Sequence, residues 1–158
     1  MKTRVKLLGI AFLLVLIYSC SKEKVYKTDF SAMDSIPAKW YHSSDIMPDT
    51  YKNVYGIWSV TGSSGGFSGM GFGRDVDYLV LKANGIFGII RNDSLIAFGN
   101  MVLTKKEGSL LCRFDFDRSA NIQLWYDSEK YIQLIHNDTL NLNAPCCDRY
   151  NIHFVRKK

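Results

Sequence analysis

No apolar run in this chain is long enough to cross a membrane as a helix. The longest, Leu7 to Tyr18, has 12 residues, against the roughly 20 that a spanning helix needs. After residue 20 there is no room for a long amphipathic helix either, which removes helical bundles and doubly wound folds. Histidine is scarce, with only His42, His136 and His153. None lies beside a Ser or Cys in a recognised nucleophile context, so the sequence offers no catalytic residue and reads as a non-enzyme. Asp115 and Asp117 alternate with Phe114 and Phe116, the pattern of a solvated strand face rather than an acid/base pair. Cys146, Cys147, Asp148 and His153 lack the two-to-four-residue ligand spacing of a structural zinc site, so no metal or other cofactor is expected. Positive charge is not concentrated either. The net charge of +5 includes three basic residues and no acidic one within residues 1–19, so removal of that segment leaves +2. That is no footprint for nucleic acid.

What is present begins at the N-terminus. Lys2, Arg4 and Lys6 precede the apolar run, which suits the h-region of a signal peptide spanning 1–19. The run ends in Ile17-Tyr18-Ser19-Cys20. This resembles the lipobox of bacterial lipoproteins, although Tyr18 is larger than the residue usual there. An ordinary secretory site wants small residues at both −1 and −3, and Ile17 occupies −3. The resemblance implies cleavage before Cys20 and its acylation with diacyl and palmitate-type chains. Two or more chains anchor a protein stably where one would be marginal. The expected location is the bacterial cell envelope, at the outer membrane on its periplasmic or surface face. Lys22-Glu23 is a weak version of a surface-export signal, and plain solubility explains it equally well.

Residues 20–53 read as a lipidated tether, polar and mixed in charge at first, then carrying Pro37 and Pro48. Such a segment is flexible or packed loosely on the domain it precedes. Trp40-Tyr41 and Ile46-Met47 are apolar enough to dock. From residue 54 to 158 the pattern changes. Short β-rich runs recur about every ten residues: 55–60, 78–82, 86–91, 95–104, 110–116, 122–126, 131–136, 139–143 and 150–156. Turn formers such as Asn84-Gly85, Asn92-Asp93 and Asn137-Asp138 separate them. Leu110, Cys112, Phe114 and Phe116 alternate with Leu111, Arg113 and Asp115, and Tyr150, Ile152 and Phe154 alternate with Asn151 and His153. One dry and one wet face predicts an all-β, antiparallel up-and-down barrel of eight to nine strands, with a two-sheet sandwich as the alternative. Phe87, Phe98, Phe114, Phe116, Tyr126 and Phe154 are candidates for its interior. Cys112, Cys146 and Cys147 remain after Cys20, an odd number. One bridge from Cys112 to either of the other two, or three thiols, are both open.

Gly56-Ile57-Trp58 opens the first run and Arg156 ends the last with inward parity. In a closed meander these two strands are neighbours, so the Arg156 guanidinium can stack on Trp58 and satisfy nearby carbonyls. Here the chain resembles the lipocalin-like, or calycin, barrels, and in particular the small lipocalin-like domains of bacterial lipoproteins. That superfamily places G-x-W in its first strand and an arginine near the end of its last. The resemblance covers about Tyr55 to Lys158. It departs in length, in lacking the threonine-aspartate-tyrosine motif, and in having no helix after the barrel. It implies a loop over the open mouth. Thr61 to Gly73, with six glycines, fills that place and carries Phe67, Met70 and Phe72 as a lid or partner contact; a slack connection is the plainer reading. The run is no phosphate loop, for it lacks the Gly-Lys-Ser/Thr ending. The function implied is binding of a small apolar or amphiphilic ligand close to the anchoring membrane. The alternative is a protein-interaction or inhibitor-like barrel with a filled core.

Overall fold

The computed structural model describes residues 30–36, 49–66, 76–119, 122, 128–146 and 149–158. The segment read as a signal peptide, Cys20, most of the segment read as a tether, Phe67, Met70, Phe72, Tyr126 and Cys147 lie outside the described residues. Eight strands run in chain order: β1 (Gly56–Gly65), β2 (Tyr78–Leu81), β3 (Ile86–Arg91), β4 (Ser94–Lys106), β5 (Ser109–Arg118), β6 (Glu129–Ile135), β7 (Thr139–Asn143) and β8 (Tyr150–Arg156). Each pairs antiparallel with the next, and β1 pairs with β8 to close the barrel. The expected up-and-down barrel is therefore what forms. Closure leaves no unpaired edge, which explains why short strands without helices suffice.

Three expectations change in detail. The run at 122–126 is not needed for closure, because β5 pairs directly with β6; Ile122 is buried in the core outside any strand. The glycine-rich run is not all loop. Its first residues, Thr61 to Gly65, continue β1 along β8 past a bulge between Val60 and Gly62. Backbone pairing outweighs the low strand propensity of Gly and Ser there. Phe98 faces out, not in. The inward slot opposite Phe87 belongs to Gly99, because Phe114 and Phe116 already stack edge-on against Phe87 at 4.9 Å each. A side chain at Gly99 would run into the Asp115 backbone.

The turns follow local chemistry. Asn92-Asp93 and Glu107-Gly108 link their strands in two residues, all four at positive φ. Those are the type I′ turns whose twist matches a hairpin.

Trp58, Leu79, Leu81, Phe87, Ile89, Met101, Phe114, Leu140, Leu142, Ile152 and Phe154 fill the barrel interior and are almost wholly excluded from solvent. A second apolar cluster lies outside the wall of β1 to β4. There Val80, Ile86 and Ile90 are covered by a 3-10 turn, Ser31–Ser35, through Met33 and Ile36. That turn belongs to the segment read as a tether, so residues 30–36 act as a strap rather than a loose leader. Met33 sits where a side chain on Gly88 would be, and Asp34 pairs with Lys82 at 2.6 Å. Gly88→Val is expected to expel Met33 and release the strap while leaving the barrel closed. The loss is about 1–3 kcal/mol, the value of burying one Met-sized side chain. Urea unfolding and protease cleavage within 30–36 would measure it, and unchanged cleavage would count against the strap.

Candidate functional site

The barrel has two unlike ends. One gathers the 3-10 turn Asp49–Val54, the β2–β3, β4–β5 and β6–β7 turns, and the C-terminus. Here Trp58 and Arg156 stand opposite each other across the β1–β8 seam. The guanidinium carbon lies 4.2 Å from the centre of the indole. Arg156 Nε donates to Asn137 O at 2.8 Å, Nη1 to Tyr55 O at 2.9 Å, and Nη2 to Asn53 O. Trp58 Nε1 donates to Val54 O at 2.8 Å. One planar fork thus ties the chain before β1, the β6–β7 turn and the last strand together, a task for Arg and not Lys. Gly56 is required for this. Its φ is +145°, and a Cβ there would fall on Arg156 Nη1. The G-x-W and the distant arginine are one device, and its work is structural closure.

At the other end, called the mouth below, strands β1, β3, β5 and β7 finish and β2, β4, β6 and β8 begin. Among the described residues the buried polar side chains are Asn100 and Lys130. Asn100 stands on the outward register of β4, opposite Asp115. Lys130 does not. It stands opposite Cys112, two residues before Ile132, and so projects into the interior. Only 1% of it is exposed, and its Nζ donates to Tyr150 O at 3.2 Å. Tyr150, Phe116 and Ile122 line the same half of the barrel. Sequence reading placed Lys130 in a polar turn and missed it. Its parity with Ile132 and Leu134 was the available signal.

Cys112 is buried beside Lys130 and is not in a disulfide; nor is Cys146, which is exposed. Burial pushes the Cys112 thiol well above its ordinary pKa, with the nearby Asp115 charge adding to the effect. Such a thiol stays protonated at neutral pH and does not act as a nucleophile.

No family model, curated protein or solved structure matches this chain. The site is therefore read from its own geometry. On the outer wall, His153 Nδ1 donates to Asn141 Oδ1 at 2.9 Å, and Nε2 and Ser64 Oγ share a hydrogen bond at 2.9 Å. Asn141 Nδ2 in turn donates to Gln133 Oε1 at 3.4 Å, which leaves Asn141 Oδ1 as the acceptor. The ladder crosses four strands and holds the end of β1 beyond its bulge. It locks register across the seam. Among the described residues no three His, Cys, Asp or Glu side chains gather as metal ligands.

Proposed function

We propose that this chain is a lipid-anchored, lipocalin-like binding barrel of the cell envelope, whose mouth takes a small amphiphilic ligand. The observation that carries the reading is Lys130. A lysine side chain held inside an apolar barrel gives up its hydration, and closure of the fold does not require it. Buried ionisable groups of this kind concentrate at functional sites. In this reading the ligand enters the half of the barrel that holds Lys130, Tyr150 and Phe116. There a long apolar body would gain from burial while its polar head meets the ammonium. The lipoprotein part rests on the residues up to Cys20.

A second reading has its own support. The interior side chains around Trp58 have almost no exposed surface, which suits a solid barrel that grips another protein through its loops.

The two separate on one variant. A fluorescent long-chain carboxylate should bind the protein, and Lys130→Met should weaken its Kd about tenfold or more, the value of a charged hydrogen bond. Thermal stability should fall by about 1–3 kcal/mol, because methionine leaves the Tyr150 carbonyl without its buried donor. Equal binding by both proteins, or none by either with no amphiphile extracted from native protein, would move the weight to the solid barrel.

A further inference from the structure

Lysine is segregated in this molecule. Among the described residues, every lysine except the buried Lys130 lies at the Trp58–Arg156 end: Lys52, Lys82, Lys105, Lys106, Lys157 and Lys158. Lys82 pairs with Asp34, and Lys157 lies over the rings of Tyr78 and Phe30. Lys105 and Lys106 are presented on a lever. Strand β3 stops pairing with β4 at Asn100, but β4 continues to Lys106 and returns as β5. Residues 104–109 at that tip are all exposed. Asp49, Glu107 and Asp138 are the other acidic residues at this end, whereas Asp77, Asp93, Asp117 and Glu129 lie toward the mouth together with Arg91, Arg118 and Arg149. Among the described residues, Val155 is the exposed large apolar side chain.

The path of the chain points the same way. The strap ends at Phe30, which lies 5.0 Å beneath the Lys157 ammonium. The nine residues between Phe30 and Cys20 span at most about 30 Å. They bring Lys22, Lys24 and Lys27 against Glu23 and Asp29.

We infer that the closed, lysine-rich end of the barrel docks on an anionic phospholipid surface, with the mouth turned away from it. Lysine suits that partner, as a mobile point charge that adds about a fivefold gain for each residue near such a surface. A barrel held this way presents its mouth to the aqueous space and not to the leaflet that anchors it. The inference rests on the lipid-anchor reading proposed above and not on the ligand reading.

The test uses the full-chain protein as purified from membranes, mixed with vesicles of phosphatidylcholine alone or with phosphatidylglycerol added. Amide hydrogen exchange is followed by mass spectrometry. Association with both vesicle types reports on the acyl chains. Slowed exchange at 104–109 on anionic vesicles only, with 92–93 and 144–146 unchanged, reports on the docking face. The slowing should fade at high salt and disappear in Lys105→Glu/Lys106→Glu, whose tip positions are exposed. Equal exchange at 104–109 on both vesicle types, or slowing at the mouth turns instead, would overturn the inference, whatever becomes of ligand binding.

Discussion

Trp58→Ala is expected to destabilise the barrel by about 3–5 kcal/mol, as a large aromatic removed from a closed core. For a domain of this size that lowers Tm by about 15 °C or more. Trp58 has no exposed surface, and its indole does three things at once. It fills the closed half of the interior, it donates to Val54 O, and it forms the platform for Arg156. Trp58→Phe keeps most of the buried area and loses the N–H, so its loss should be smaller, about 1–3 kcal/mol for one orphaned carbonyl. Thermal unfolding by circular dichroism separates the two. A Trp58→Ala protein that melts with the wild type would refute the closure described here.

Arg156→Ala should cost about 3 kcal/mol, although Arg156 is partly exposed and carries no fixed charge partner among its described contacts. Its value lies in the three carbonyls it satisfies, at Asn53, Tyr55 and Asn137. Hydrogen bonds from a charged donor are each worth about 1.5–3 kcal/mol when isolated, but three on one group do not add in full. Arg156→Lys keeps the charge and loses the fork, so less than half the stability should return. Urea unfolding measures both. Full rescue by lysine would mean that charge alone matters at this end. Combined with Trp58→Ala, the two losses should fall short of their sum by about 1 kcal/mol, because removal of the ring also removes the stacking contribution of Arg156.

Much of this fold was legible in the chain. The alternation of Leu110, Cys112, Phe114 and Phe116, and of Tyr150, Ile152 and Phe154, set which face of each strand is dry. Turn pairs such as Asn92-Asp93 and Glu107-Gly108 marked where strands reverse. These signals are local, with a period of two and a few residue types, so they survive without knowledge of the partner strands. The pairing of Trp58 with Arg156 needed only one further step, that the first and last strands of a closed meander are neighbours.

The rest was not local. Lys130 reads as the end of a polar turn until β6 is placed in register with β5, when it falls opposite Cys112 and inside the wall. Phe98 reads as core until Phe114 and Phe116 have taken the space beside Phe87. The strap at 30–36 has no periodicity of its own, and it is ordered by apolar residues on the far side of strands some fifty residues later.

The sequence by itself determined the strand pattern and the closing device, because each is written in residue spacing along the chain. Only the tertiary structure decided which lysine is buried, which glycine makes room for a methionine or a guanidinium, and that the other lysines among the described residues share one end. Those facts depend on which strands meet and in what register, and register is set by the packing of the whole barrel rather than by any one segment.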